Sequence, residues 1–228
     1  MPSIGGMPPQ GLTPRPRIVG GTEAPTFQYP FVAGLLWDSQ TSPGMLSFIC
    51  GASLVTPRWA MTAAHCIGAN YHPGRYSVLV HAHDLSGEIV HRECTQLVQV
   101  EQFRCHPSYD ADTLEADLCL LRLTAQPRCA DRLVASAALP LIDAPAPHSV
   151  AVAGVDAIAA GWGTTSSADG NSYAQEGVPQ YPVRLREVVL PVVSTGACQG
   201  RYGTSAILPG MICAGREGAD TCGGDSGG

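Results

Sequence analysis

Short runs of apolar or alternating residues recur along the chain from Phe31 onward, over residues 31–36, 48–55, 76–81, 97–103 and 118–123. Turn-forming clusters such as Thr41-Ser42-Pro43-Gly44 and His72-Pro73-Gly74 separate them. A second set follows at residues 157–161, 185–191 and 211–214. Runs of this length bounded by turn residues predict β-strands, and their repetition predicts closed all-β units. Helical signal is confined to residues 60–66 and 194–202, a turn or two each. Residues 130–149, rich in Pro and Ala, read as a linker between the two sets, and residues 164–182 read as a polar, exposed loop. Residues 1–17 are rich in Pro and Gly and read as a flexible leader that stops abruptly at Arg17-Ile18-Val19-Gly20-Gly21.

Composition narrows the function classes. With 45% hydrophobic and 14% charged residues, a net charge of -6 and no basic run, the 228-residue chain can bury a sizeable core and is not built for nucleic acid. No apolar run reaches a membrane span; the nearest, residues 150–160, is short and contains Asp156. Nine cysteines, none in a C-x-x-C pair, point to an oxidising compartment and hence to secretion. The first ten residues lack the basic-then-apolar pattern of a signal peptide, so the chain reads as incomplete at its ends.

Three segments carry chemistry. The last five residues, Gly224-Asp225-Ser226-Gly227-Gly228, set a serine among glycines, where backbone amides can approach a reacting carbonyl. A serine hydroxyl is a poor nucleophile without a base and a group that orients the base. Thr62-Ala63-Ala64-His65-Cys66 offers a histidine, and Ala116-Asp117-Leu118-Cys119 offers a carboxylate at the head of an apolar strand. Alone, each has a commoner structural reading. Their order, His65 then Asp117 then Ser226, excludes the α/β-hydrolase and subtilisin arrangements, which place these groups differently along the chain.

Together with Arg17–Gly21, His106-Pro107-Ser108-Tyr109, Gly161-Trp162-Gly163 and Met211-Ile212-Cys213-Ala214-Gly215, these segments make the chain resemble the trypsin-like (chymotrypsin-fold, S1) serine proteases from Ile18 to Gly228. The resemblance implies an all-β fold of two six-stranded antiparallel Greek-key barrels. The first would cover about residues 28–135 and the second, incomplete, about 140–228, within a peptidase domain of residues 18–228 preceded by a leader of residues 1–17. It assigns Ser226 as nucleophile, His65 as base and Asp117 as the group that orients the imidazole, with the N–H groups of Gly224 and Ser226 as oxyanion hole. Asp220, six residues before the serine, would floor the specificity pocket, and a buried carboxylate demands a cation, so cleavage after Arg or Lys is expected. Arg17-Ile18 reads as a zymogen junction whose cleavage frees the Ile18 amine to pair with Asp225.

The implied partners are protein and peptide substrates, an activating protease and protein inhibitors, with no cofactor and no metal. Some relatives hold calcium after this strand, but here the segment reads His81-Ala82-His83-Asp84-Leu85, with Ala82 where the first glutamate belongs. His81 and His83 alternate and are expected to be solvated, and Trp37, Trp59 and Trp162 to be packing residues. The resemblance pairs Cys50 with Cys66 and Cys198 with Cys213, and leaves Cys222 for a cysteine beyond Gly228. It does not explain Cys94, Cys105, Cys119 and Cys129. Opposed residues of an antiparallel hairpin have nearly constant summed numbers, which suggests Cys105 with Cys119 and Cys94 with Cys129 across the same two strands. The function expected is a serine endopeptidase made as a zymogen. The rival is a catalytically inactive homologue that serves as a binding or scaffold protein, and the lack of the strands that relatives carry after the serine motif argues against activity of this chain as it stands.

Overall fold

Alternation of buried and half-buried residues along successive strands builds the first unit. In the computed structural model, which describes residues 21–38, 46–68, 72–86, 94–130, 132–139, 153–163, 182–216 and 226–228, the strands are β1 (Thr22–Glu23), β2 (Val32–Asp38), β3 (Leu46–Thr56), β4 (Trp59–Thr62), β5 (Tyr76–Val80), β6 (Gln96–Cys105), β7 (Cys119–Leu123), β8 (Arg128–Cys129), β9 (Arg132–Leu133), β10 (Asp156–Gly161), β11 (Arg186–Val193) and β12 (Cys213–Ala214). One helix, α1 (Thr195–Tyr202), lies between β11 and β12. Strands β2-β3-β4-β7-β6-β5 close into an antiparallel barrel with a Greek-key crossover between β4 and β5. Tyr76, Val78 and Val80 of β5, Leu121 and Leu123 of β7, and Leu35 and Leu54 point inward and are essentially inaccessible. Closure leaves no strand edge unpaired, and register shifts at Leu35/Leu36, Leu54/Thr56 and Val100/Gln102 supply the local bends that closure needs.

The second unit, among the described residues, is a four-stranded sheet in which β11 pairs with β1, β10 and β12. Val188 and Leu190 bury one face of it against Ala159 and Ala214. Trp162, wholly buried, seals the junction of the two units against Ala24, Val32, Ala82 and Leu185, with Phe48 edge-on to its ring at 6.1 Å. The backbone carbonyl of His83 anchors the same junction by accepting the Leu185 N–H at 2.7 Å and the Trp162 indole N–H at 3.4 Å. Tyr29, in the strap between β1 and β2, donates its hydroxyl to Glu187 of β11. Burial, reinforced by the Glu187 carboxylate, pushes the Tyr29 phenol up to about 12.

Several expectations change on contact with the fold. Residues 59–62 are a strand, not the start of a helix: Ala60 and Thr62 alternate into the barrel and pair with Leu121 and Cys119. Only Ala64–Cys66 turns, as a single 3-10 turn. The second helical segment is as expected: the Ser194 hydroxyl accepts the Ala197 N–H, and Gly203, at φ +93°, ends the helix. The start of the presumed linker is packed, since Val134 is buried and Ala137 N–H bonds Leu54 O at 2.7 Å. His81 turns out of β5 at φ +50° and stacks on Phe27, while His83 is fully buried, so the two do not share a solvated face. Trp37 and Trp59 are half-buried, each with a guanidinium (Arg75, Arg104) 5.9 Å from its ring. Residues 164–181 and Cys222 lie outside the described residues.

Four disulfides join Cys50–Cys66, Cys94–Cys129, Cys105–Cys119 and Cys198–Cys213. Cys105 and Cys119 are directly opposed in the β6–β7 ladder. The Cys94–Cys129 pair does not bridge those same strands. Cys94 precedes β6 and Cys129 lies in β8, where the Gln96 side chain continues the ladder by bonding the backbone of Arg128.

Two expectations follow. Replacing Leu121 by Ala removes methyl groups from a closed core and should cost about 2–5 kcal/mol in denaturant unfolding. Glu23 of β1 accepts from His83 Nε2 at 3.2 Å and from Arg184 at 3.3 Å. The His83 hydrogen bond, against some burial, and then Arg184 hold its carboxyl below the usual range. A depressed carboxylate contributes stability above its unfolded value, about 4.3, and loses it as pH falls through the folded value. Thermal unfolding of Glu23→Gln should therefore depend less on pH below about pH 5 than that of the parent protein.

Candidate active site

The register of two adjacent strands decides which loops meet. Thr62 at the end of β4 pairs with Cys119 at the start of β7. His65 lies three residues beyond Thr62 and Asp117 two before Cys119, so both leave the barrel at one rim. The Cys50–Cys66 bridge ties the turn carrying His65 to β3. The Cys105–Cys119 bridge and the His106 N–H to Leu118 O bond (2.8 Å) close the base of the loop carrying Asp117. Within that loop the Asp110 carboxylate accepts the N–H groups of Asp112 and Thr113 at 2.8 and 2.9 Å, which holds it below the usual carboxylate range.

Asp117 grips His65 at two points. Its Oδ1 accepts the His65 backbone N–H at 2.8 Å and its Oδ2 meets the ring Nδ1 at 2.6 Å. A carboxylate only accepts, so Nδ1 is the donor, and Nε2 is the ring nitrogen that Asp117 leaves unengaged. The ring is left partly exposed (37%), available to a reacting group, while the carboxylate is more enclosed (19%). Nearby Tyr109 is pushed upward by burial and by the Asp117 and Asp110 charges, so its phenol stays neutral here.

The serine segment lies against the residues on either side of His65. The Ser226 carbonyl accepts the Gly51 N–H at 2.8 Å and sits 3.9 Å from Cys66 Sγ. Gly227, at φ +83°, is pressed so closely that a Cβ would collide with Thr62 Oγ1 and lie 2.7 Å from both Ala63 N and Gly51 O. The fold thus brings together the segments bearing His65, Asp117 and Ser226. Arg17, Ile18, Asp220, Gly224 and Asp225 lie outside the described residues.

Sequence reasoning did not single out Gly51, and it named Thr62 only as part of the histidine segment and Gly227 only as a glycine beside the serine. Thr62 stands at an inward position three residues before the histidine, and Gly51 directly after a bridged cysteine, but the groups they bond are backbone atoms that no side-chain pattern marks. Two clusters with metal-ligand chemistry occur among the described residues, Cys50/His65/Cys66 and His81/Cys94/Cys129. Their cysteines are joined in disulfides, which offer no thiolate to a metal. No helix among the described residues is long and apolar enough to cross a membrane.

A closed Greek-key barrel with an aspartate-held histidine at its rim and a glycine-flanked serine beside it is the arrangement of a chymotrypsin-fold serine protease. The chain belongs to the trypsin family, whose sequence model matches residues 18–228. It is 34% identical over 215 residues to Trypsin-1 of Astacus astacus, covering 92% of this chain and 81% of that one. It is 33% identical over 218 residues to coagulation factor XII of Rattus norvegicus, covering 93% of this chain but only 32% of that protein. Among solved structures it is similar to neuropsin, a serine protease expressed in mouse brain, with a TM-score of 0.68 and 30% identity over 91% of this chain and 79% of that one. The chain therefore spans about a third of the coagulation factor XII relative and most of the trypsin.

Because Gly227 has no room for a side chain and adopts a left-handed conformation, Gly227→Ala should displace the Ser226 backbone. A displacement near 1 Å at a reacting group costs about 10²-fold, and a slowdown of that order is expected in phosphonylation of Ser226 by a fluorophosphonate.

Proposed function

We propose that the chain is a serine endopeptidase that cleaves after Arg or Lys and is made as a zymogen opened between Arg17 and Ile18. The observation that carries this reading is the two-point bond from Asp117 to His65, with the Ser226 segment held against the same turn. Ser226 Oγ attacks the scissile carbonyl while His65 Nε2 takes its proton. The proton then passes from His65 to the leaving amine, and water repeats the sequence on the acyl-enzyme. Asp117 stabilises the imidazolium formed at each step without itself becoming protonated. The amides of Gly224 and Ser226 receive the oxyanion, and Asp220 receives the substrate's cation.

Residues 18–228 form the peptidase unit and residues 1–17 the leader. Once freed, the Ile18 amine pairs with Asp225 and orders the oxyanion hole. Protein substrates, an activating protease that favours Arg, and protein inhibitors are its partners, in an extracellular setting that suits four disulfides.

The test is to cleave the chain after Arg17, react it with a fluorophosphonate and assay peptide amides ending in Arg, Lys or an uncharged residue. Labelling at Ser226 with turnover of the cationic substrates alone is expected. Asp225→Asn should lower turnover by about 10²–10³, the loss seen when an oxyanion donor is removed. Normal turnover in Asp225→Asn would sink the activation step. A folded protein that neither labels nor turns over substrate would instead be a binding protein.

A further inference from the structure

The hydroxyl of Thr62 is buried (2% residue exposure) at the point where three segments meet. It donates to Gly51 O at 2.8 Å. The N–H of the same Gly51 donates to Ser226 O at 2.8 Å. The β3–β4 ladder runs from the Thr56–Trp59 pair to Ser53–Met61, its last register pair before the turn. Beyond that pair, the next residue of β4 serves the Gly51 carbonyl with its side chain. Thr62 Oγ1 also occupies the space in which a side chain at Gly227 would fall.

We infer that Thr62 is a positioning residue for the nucleophile: it fixes Gly51, Gly51 fixes the Ser226 carbonyl, and the serine is thereby held in register with His65. This inference rests on the peptidase reading. Thr62 touches neither the substrate nor the reacting atoms. It joins the two partners of the proton transfer because it sits three residues before His65 and, through Gly51, one residue's reach from Ser226. A hydroxyl is required. Valine has the same shape, but it sets a methyl against a carbonyl whose hydrogen bond it removes and against a glycine packed to contact. Serine keeps the donor.

The experiment compares the parent full chain, cleaved after Arg17, with Thr62→Val and Thr62→Ser. Steady-state hydrolysis of an Arg-amide gives kcat and KM, benzamidine binding reads the cation pocket, and amide hydrogen exchange reads the Gly51 N–H. Thr62→Val is expected to lower kcat by about 10- to 100-fold, with KM and benzamidine affinity within about twofold. It should also speed exchange at Gly51 by at least about tenfold, and Thr62→Ser should restore both quantities to within about threefold of the parent. If Thr62→Val only lowers the melting temperature and leaves kcat and Gly51 exchange unchanged, Thr62 is an ordinary core residue and the inference is overturned. If the parent itself has no hydrolytic activity, the peptidase reading fails, and Gly51 exchange alone decides: acceleration in Thr62→Val with recovery in Thr62→Ser supports the positioning role, and no change overturns it.

Discussion

The double contact between Asp117 and His65 is the constraint from which the site follows. A single hydrogen bond to the ring would leave the imidazole free to swing about its side-chain torsions. The second bond, to the backbone N–H of the same residue, removes that freedom and spends both carboxylate oxygens on one partner. Such a pairing requires two loops to reach each other with sub-ångström tolerance. The barrel provides it, because β4 and β7 are neighbours in a closed sheet and cannot slip by one residue without turning every buried side chain outward. Core packing and site geometry are therefore one requirement: the inward residues that fix the register, such as Ala60 and Leu121, also fix the distance between His65 and Asp117.

The second unit meets the barrel through buried groups rather than surface charge. Trp162 supplies the apolar area, and the His83 carbonyl, with two donors from the far side, supplies direction. The short strand β1 belongs to the second sheet, yet Glu23 within it reaches the buried His83 ring of the first unit. The strap leading from β1 to β2 is fixed again at Tyr29 by Glu187. Relative placement of the two units thus rests on a few directional bonds embedded in apolar contact.

How legible this was in the sequence depends on what each feature uses. Strand positions were readable, because β5 and β7 alternate cleanly and a half-buried sheet leaves that trace. The segments bearing His65, Asp117 and Ser226 were readable through motif and order. Residues 59–62 misled because Ala60 and Met61 suit a helix, and only pairing with both β3 and β7 makes the segment a strand. The burial of His83 was invisible because its alternation with His81 ends at the left-handed backbone of His81, a tertiary accommodation to Phe27. The Cys94–Cys129 pairing was reached from a hairpin rule although the real ladder passes through the Gln96 side chain, so the partners were legible and their setting was not.

Every one of the 13 cationic side chains is arginine, and the chain has no lysine. Where the fold is described, three of these arginines bond backbone carbonyls at or beside strand ends. Arg58 bonds the carbonyls of Leu123 and Thr124 while meeting Glu101, Arg75 bonds that of Asp38, and Arg186 bonds that of Gly21. A forked guanidinium can serve two acceptors at once, which a single ammonium point charge does less well. Under the proposed cleavage after Arg, each such residue would also be a latent site of self-digestion. A protease must draw its target into an extended conformation, and an arginine in a turn or sheet strand whose head group is bonded to a neighbouring carbonyl resists that more than one without such ties. On that proposal the bonds that pin these side chains would also guard the adjoining peptide bonds, and cleavage at an arginine becomes a question of local order as much as of sequence.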